Sequence, residues 1–365
     1  MSLITSNKWL KNKYGNNLRE FVDSCLNPEV LLDFGSNKVF ENADVLTDIL
    51  VATKTENLHE TLAATVPTVD YKTLPKAMVE ALKGAAPQSF KGGDAWLIAA
   101  PMVKRIMEKM EAAGKPLIDK GYRLNYGVKT GRNDVFIVST EQRNAILADC
   151  KDEEERRRTE KLFKKILQGE NIHRNKVEWG GYWLINTHNG LKEKKGLFGI
   201  EQEHLERIHI EDFPALEAYL DSHWDEIKSR SDKGDTPYNL RNCAYLLDFD
   251  KPKIVWGNLN LSASYAWAGD EYVVNAPANQ IVPASKALLN LLNSRLADWY
   301  VKQLMVARNG GYYEYKPMFV GRLPVPDDIS MLEDLTDERQ IDAAVCTLYG
   351  LDDEDATKLG VRSKK

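Results

Sequence analysis

The first 55 residues contain the pattern of part of an α/β domain, but too little of it to fold alone. Residues 8–25 place apolar side chains at roughly helical spacing, although Gly15 interrupts the run. Short apolar runs that predict strands lie at residues 3–5, 30–34 and 45–52. One helix and two or three strands bury too little apolar surface to be stable by themselves. This segment must therefore pack against the chain that follows it, or its first half is missing.

The whole chain is expected to have an α+β fold of ordinary globular composition, since 43% of its residues are hydrophobic and 28% are charged. Residues 59–118 predict a helical connector, with a helix at 101–113 that Pro101 begins and Gly114 ends. Residues 119–330 predict a mixed α/β domain, with strands at 134–139, 182–186, 253–256 and 272–275 and helices at 152–168, 213–229 and 284–303. Residues 331–365 predict an acidic helical extension.

The net charge of −5 is unevenly distributed along the chain. Nine acidic residues and one basic residue give residues 333–355 a charge of −8, which leaves +3 for the rest of the chain. Residues 104–134 carry a local excess of four positive charges. A basic region beside an acidic tail is compatible with nucleic-acid binding, because phosphate contacts need Lys and Arg.

Common catalytic and metal-binding patterns are absent from the sequence. It contains no GxGxxG, GxxxxGK[ST], HExxH, GxSxG or CxxC motif, and its six histidines are scattered, so we expect no metal site. The four isolated cysteines favour a reducing, cytoplasmic location. No apolar run approaches the length of a membrane span, and no signal peptide is recognisable. The residues alone therefore give no complete active site.

Three polar loops are candidates for contact with nucleic acid. In the first, at residues 126–136, two glycines bracket Lys129 and Thr130, and Arg132 and Asn133 follow. These side chains, and the free N–H groups of a glycine loop, can donate hydrogen bonds to phosphates and to the edges of bases. The second loop offers Arg174 and Asn175, and the third offers Asn309, Gly310 and Tyr312. A tight turn with solvated cations remains the alternative for the first loop, a plain basic turn before a strand for the second, and a hairpin turn whose aromatic side chains face the core for the third.

The order of several segments resembles a known family. The segments GVKTGRNDVFIV, GENIHRNKVEWGGYWLINT, KIVWGNLN, LLNSRLADWY and GGYYEYKPMFVGRLPVP resemble the TaqI-like specificity, or target-recognition, domain. This domain follows the catalytic domain in adenine-specific N6 DNA methyltransferases and in fused type II restriction–modification enzymes. The segments ITSNKWLKNKYGNNLREFV and LLDFGSNKVFENADVLTDILVAT resemble the end of the catalytic domain of the same family.

The resemblance implies a division of the chain and a DNA partner. Residues 1–58 would be the C-terminal remnant of the catalytic domain, 59–118 the connector, 119–330 the specificity domain and 331–365 the extension. The specificity domain would read double-stranded DNA. Phe40 matches the aromatic residue that stacks on the adenine flipped out of the duplex in this family. No membrane partner is implied.

The sequence departs from the family in what it lacks. The Gly-rich loop that binds S-adenosylmethionine is absent, and so is the Asn/Asp-Pro-Pro-Tyr/Phe motif; the only Asn-Pro pair is Asn27-Pro28, followed by Glu29. We therefore expect the parent enzyme to use S-adenosylmethionine and this chain to bind none and to be inactive without an N-terminal catalytic half. A protein-interaction or assembly module of a phage-defence system, or an enzyme of another type, remains the alternative.

Overall fold

The computed structural model describes residues 1–35, 37–40, 42, 45–67, 69–99, 101–192, 194–196, 199–202, 204–305 and 308–359. The helices are α1 (Lys8–Lys11), α2 (Asn16–Cys25), α3 (Leu74–Lys83), α4 (Pro101–Ala113), α5 (Asn133–Phe136), α6 (Thr140–Ala148), α7 (Glu153–Glu160), α8 (Pro214–Ser222), α9 (Trp224–Ile227), α10 (Lys286–Asn293), α11 (Arg295–Leu304), α12 (Pro317–Val320), α13 (Glu338–Leu348) and α14 (Asp353–Lys358). Among the described residues, no helix is both long enough and apolar enough to cross a membrane.

Most strands are short. They are β1 (Ser2–Ser6), β2 (Asn27–Asp33), β3 (Thr47–Thr53), β4 (Thr61–Thr65), β5 (Ala86–Gln88), β6 (Lys115–Pro116), β7 (Arg123–Tyr126), β8 (Ile137–Ser139), β9 (Phe163–Leu167), β10 (Ile172–His173), β11 (Lys176–Val177), β12 (Tyr182–Ile185), β13 (Lys194–Gly196), β14 (Gly199–Gln202), β15 (Lys253–Trp256), β16 (Leu259–Asn260), β17 (Tyr265–Ala268), β18 (Tyr272–Val274), β19 (Asn279–Val282), β20 (Tyr313–Glu314) and β21 (Pro324–Val325). The mixture of helices with several sheets confirms the predicted α+β class.

The chain divides into two compact units. The first comprises Met1–Gly114, Trp299–Glu314 and Cys346–Lys365, and the second comprises Lys115–Asp298 and Tyr315–Val345. The boundary predicted at residue 58 does not separate these units. Strands β4 and β5 of the predicted connector belong to the same sheet as β1, β2 and β3, because β4 pairs in parallel with β2.

The first unit is built on a five-stranded sheet with the order β1-β3-β2-β4-β5. Successive side chains of a strand point to opposite faces, so Leu31 and Leu32 enter different cores. Leu31 packs with Leu50 and Trp96 on the face that α2 covers, and Leu32 packs with Leu74 on the other. The predicted break at Gly15 is confirmed, since α1 ends at Lys11 and α2 begins at Asn16.

The second unit contains two four-stranded sheets with the orders β18-β9-β12-β8 and β17-β15-β19-β7. The helix predicted at 152–168 is wrong in its second half, because α7 ends at Glu160 and β9 follows. Strand β9 lies between β18 and β12, and its Phe163, Ile166 and Leu167 are buried. Pairing with two neighbouring strands outweighs the helical pattern of the local sequence.

The strand predicted at 134–139 is also shorter than expected, since one helical turn, α5, precedes β8. The helices predicted at 213–229 and 284–303 are each divided in two, the second at Ser294. The hydroxyl of Ser294 donates to the carbonyl of Leu291 and accepts from the N–H of Ala297. Such local bonds by a serine compete with the helical pattern and explain the break.

The described part of the acidic C-terminal segment contains α13 and α14, and not all of its carboxylates are solvated. In the first unit, Asp355 is buried and accepts from the ammonium of Lys109 at 2.8 Å and from Arg105. These two cations hold the pKa of Asp355 below its ordinary value, Lys109 most of all. The segment therefore contributes to the packing of the protein and is not only a charged tail.

Candidate nucleic-acid interface

The first predicted loop joins β7 to α5 and is anchored by backbone hydrogen bonds. The N–H of Gly127 donates to the carbonyl of Ala278 at 2.8 Å, and the N–H of Val128 donates to that of Val274 at 2.7 Å. A side chain on Gly127 would place its Cβ 2.5 Å from the carbonyl carbon of Asn275. Only glycine allows this approach, so the first glycine of the pattern fixes the start of the loop.

Thr130 shapes the middle of the loop. Its side chain is buried, with 1% of the residue exposed. Its hydroxyl donates to Oδ1 of Asn133 at 2.6 Å and accepts from the N–H of Arg132 at 3.1 Å. Gly131 between them has a φ of +73°, a left-handed conformation that favours glycine. In this structure the Thr130 side chain is therefore enclosed by the loop, whereas Asn133 is exposed.

Arg132 is held by two carboxylates. Its Nε and Nη2 donate to the two oxygens of Asp134 at 3.1 and 2.7 Å, and Nη2 also donates to Oε2 of Glu226 at 2.8 Å. Asp134 first, and Glu226 after it, raise the pKa of Arg132. The same contact with Arg132 lowers the pKa of Asp134. The guanidinium is thus charged but occupied along part of its hydrogen-bonding edge.

Arg230 is a buried residue that holds the backbone of this loop. The sequence does not predict it. Its guanidinium donates to the carbonyl oxygens of Thr130, Asp232 and Pro237, the last two at 2.8 and 3.0 Å. It also lies over the ring of Phe136, 4.3 Å from the ring centre. Burial lowers the pKa of Arg230 to about 10. A buried arginine bonded to main-chain carbonyls leaves no local sequence pattern, so no motif could have indicated it.

The loop forms one wall of a groove of about 610 Å³ in the second unit. The groove is lined by Lys129, Thr130, Arg132 and Asn133, and the other polar or aromatic residues along it are Tyr126, Asp134, Asp232, Asn258, Asn275 and Lys316. Lys129 is exposed and forms no ion pair with any residue that the structure describes. The structure therefore brings all four predicted residues of the first loop to one groove and adds Tyr126, Asn258 and Lys316.

Arg174 and Asn175 form the turn of the β10–β11 hairpin in the same unit and do not line this groove. Asn175 has a φ of +62°, and its side-chain oxygen accepts from Asn293 at 2.7 Å. Nε of Arg174 donates to Oε1 of Glu338 at 2.8 Å. The hairpin is therefore a second, separate polar feature of the second unit.

The third predicted loop belongs to the first unit. The N–H of Arg308 donates to the carbonyl of Tyr312 at 2.7 Å, and Gly310 and Gly311 have φ values of +75° and +80°. Tyr312 is 40% exposed. The side chain of Asn309 lies outside the described part of the structure. Glycine is thus required at Gly310 by the turn itself, and Tyr312 is left accessible for stacking.

Phe40 lies in the connection between β2 and β3. Strands β1 and β2 run in the same direction in the sheet. The connection starts at the carboxyl end of β2, on the side of the sheet where β1 also ends. Ligands of open α/β sheets bind at the carboxyl ends of the strands. Phe40 is 42% exposed, so its ring is accessible from solvent at this edge.

A cavity of about 260 Å³ lies at the same edge of the first unit. Asp33 accepts there from the side-chain amide of Asn7 at 2.8 Å and from the N–H of Gly35 at 2.9 Å. The ammonium of Lys11 donates to the carbonyl of Gln303 at 3.0 Å. These polar groups already have hydrogen-bond partners within the first unit, and the described residues that line the cavity include no glycine-rich loop. Within the described ranges, no cluster of three His, Cys, Asp or Glu side chains suits a metal ion.

Part of the chain matches a known domain family, and nearly the whole chain is similar to type II methyltransferases. Residues 164–325 match the model of the TaqI-like C-terminal specificity domain. The chain is 22% identical to the type II methyltransferase M.BstVI of Geobacillus stearothermophilus, covering 96% of this chain and 64% of that protein. It is also 22% identical to the type II methyltransferase M.PaeR7I of Pseudomonas aeruginosa, covering 99% of this chain and 63% of that protein.

A similar fold occurs in the type IIL restriction-modification enzyme MmeI, whose structure was solved in complex with DNA. The TM-score is 0.54 at 12% identity, and the match covers 99% of this chain and 50% of that one. This chain therefore spans about half of MmeI and less than two thirds of its curated relatives. The resemblance drawn from the sequence is confirmed at the level of the domain, since residues 164–325 of this chain match the TaqI-like C-terminal specificity domain and the relatives that the chain matches are type II methyltransferases.

Proposed function

We propose that this chain provides the DNA specificity of an S-adenosylmethionine-dependent, adenine-specific N6 DNA methyltransferase of a restriction–modification system. The observation that carries the proposal is the groove along residues 126–134. Its loop is anchored at Gly127 and at Thr130, yet it leaves Lys129 and Asn133 exposed. A fixed backbone that presents a cation and an amide has the chemistry to contact phosphates and base edges of a duplex.

The proposal assigns different roles to the groove residues. Lys129 would contact phosphates, because it is exposed and has no ion-pair partner among the described residues. Asn133 and Asn258 offer amides, which read adenine best, and Tyr126 offers an aromatic face. The hairpin at Arg174 and Asn175 and the loop at Gly310 and Tyr312 would contact the duplex elsewhere.

Phe40 would stack on the adenine that is flipped out of the duplex. A base inside a duplex cannot be methylated at its amino group, so it must leave the stack, and base–aromatic stacking contributes about 1–3 kcal/mol. The exposure of Phe40 at the carboxyl edge of the sheet supports this role. S-adenosylmethionine and the polar clamp on the adenine would come from an N-terminal catalytic half, in keeping with the greater length of the relatives.

An exposed apolar sheet edge in the first unit supports such a partner. Strand β1 is at the end of the sheet order, and Leu3 and Ile4, on its two faces, are each 48% exposed. Leu18 and Phe21 of α2 are exposed as well. An apolar open edge is a site for pairing with further chain, because natural sheets usually cover or charge their edges.

DNA binding is tested by fluorescence anisotropy with the full chain and a labelled random-sequence duplex across a salt series. We expect affinity that falls steeply between about 50 and 200 mM salt, because bound phosphates release counterions. Absence of binding at the lowest salt would contradict the proposal and favour a protein-interaction module. Isothermal titration with S-adenosylmethionine should give no heat of binding; saturable binding would refute the assignment of the cofactor to a separate half.

A further inference from the structure

Both arginines that the sequence predicts to contact DNA are paired with a glutamate from a distant element. Arg132 is bound by Glu226 of α9, and Arg174 by Glu338, the first residue of α13. The four side chains are between one third and three fifths exposed, so solvent and DNA can reach them. The same arrangement at two separate polar features of one unit calls for a common explanation.

The geometry at Arg132 shows what the glutamate obstructs. An arginine has five N–H donors, and a guanine is read by two of them side by side. Asp134 occupies the pair formed by Nε and one hydrogen of Nη2. Glu226 occupies the other hydrogen of Nη2, so the outer pair formed by Nη1 and Nη2 is incomplete. Release of Glu226 alone would open that pair while Asp134 still held the guanidinium in place.

We propose that Glu226 and Glu338 are specificity-determining residues, which DNA must displace from Arg132 and Arg174. This inference rests on the proposed function and extends it to residues that do not themselves bind DNA. In the free protein each glutamate occupies an N–H donor of its arginine and adds negative charge beside it, so a random duplex gains little from the contact. A duplex that offers the arginine a well-placed acceptor displaces the glutamate. The difference in affinity between this duplex and a random one therefore increases.

Through Glu338, the acidic C-terminal segment would take part in the same competition with DNA for an arginine. Arg174 also donates to the carbonyl of Ala263 at 3.4 Å, so it is oriented by the main chain while Glu338 takes Nε. Displaced carboxylates remain near the phosphates and repel them, which adds to the penalty on loosely fitting duplexes. The glutamates therefore weaken binding in general and sharpen the choice between sequences.

The test compares Glu226→Gln with the unsubstituted chain on a random-sequence duplex, by fluorescence anisotropy across a salt series. The amide keeps the size of the side chain but removes the charge. We expect binding to tighten by about 2- to 10-fold and the slope of log affinity against log salt to steepen by up to about one, since the outer N–H pair of Arg132, which Asp134 still holds in place, gains a phosphate contact. Glu338→Gln should act in the same direction.

Two controls separate this mechanism from a general charge effect. Glu211→Gln removes the same charge from an exposed glutamate that has no ion pair within the described chain, and it should change affinity much less. In an Arg132→Ala background, Glu226→Gln should have a much smaller effect, because only the repulsion between the carboxylate and the phosphates is then removed. An unchanged affinity in Glu226→Gln, or an equal gain in the Arg132→Ala background, would overturn the inference alone. If neither the chain nor any variant bound the duplex at low salt, the proposed function would fall with it.

Discussion

The guanidinium of Arg230 donates a hydrogen bond to the carbonyl oxygen of Thr130, one hundred residues earlier in the chain. The same group donates to Asp232 and Pro237 and lies on the ring of Phe136. One buried cation thus joins the candidate recognition loop to the segment after α9. The loop keeps its shape because several main-chain carbonyls share this donor.

Arg230→Lys should therefore destabilise the protein and weaken DNA binding together. A lysine keeps the charge but cannot donate hydrogen bonds to all of these carbonyl oxygens at once. Each buried acceptor left without a donor costs about 1–3 kcal/mol of stability. We expect a loss of about 2–4 kcal/mol in the free energy of unfolding, measured by urea denaturation. Arg157→Lys, on the exposed face of α7, is the matched control. A variant at 230 as stable as this control would show that the clamp is dispensable.

Gly127→Ala should strain the start of the same loop. The added Cβ would lie 2.5 Å from backbone atoms of Asn275 and Ala276, and main chain cannot move aside as a side chain can. We expect a cost of about 1–3 kcal/mol in unfolding free energy, the usual penalty of forced overpacking. Gly169→Ala provides the comparison, because a Cβ there meets nothing within 4 Å. Equal stabilities of the two variants would mean that the loop relaxes freely.

The fold could be predicted from the sequence where a single element carries its own signal. Helix α4 coincides with the predicted 101–113, since Pro101 and Gly114 mark its ends. Strand β9 could not be predicted, because its identity comes from pairing with β12 and β18, which lie far away in sequence. Likewise the sequence predicts a connector where β4 lies, whereas the pairing of β4 with β2 makes it part of the first sheet.

The candidate site shows the same limit of local information. The two glycines and the exposed Lys129 follow from the spacing of the loop, and the groove contains all four residues predicted there. The partners of those residues do not follow, because Glu226 and Arg230 come from a segment about one hundred positions away. Burial of Thr130 also depends on those partners. Sequence patterns identified the loop, and tertiary contacts decide which of its side chains are available.

Lys129→Ala should weaken binding to all duplexes by a similar factor. Because Lys129 is exposed and not paired with any described residue, its removal should leave stability unchanged but abolish about one phosphate contact. The slope of log affinity against log salt should fall by about one. The control is Lys151→Ala, an exposed lysine between α6 and α7 that does not line the groove. An identical slope in the two variants would exclude Lys129 from the interface.

Asp48, at the start of β3, is a buried carboxyl group whose ionisation should limit stability at neutral pH. One oxygen accepts from the indole N–H of Trp9 at 3.2 Å, and the other has no partner in the described part of the chain. Burial raises the pKa of Asp48 to about 7, and the charge of Asp33 adds to the rise, whereas the bond from Trp9 opposes it. The folded protein therefore holds a proton here that the unfolded chain gives up near pH 4.

The sign of the pH dependence follows from this order of pKa values. The folded pKa is the higher one, so the contribution to stability is fully present below about pH 4 and is lost as the pH rises to about 7. Asp48→Asn keeps the acceptor for Trp9 and cannot ionise. We expect it to be more stable than the parent chain at pH 8 by a few kcal/mol, on the order of 2–4, and nearly equal to it at pH 4. Urea denaturation at both pH values measures the difference, with the exposed Asp94→Asn as control. A gain of the same size at both pH values would show that Asp48 is not protonated in the folded protein.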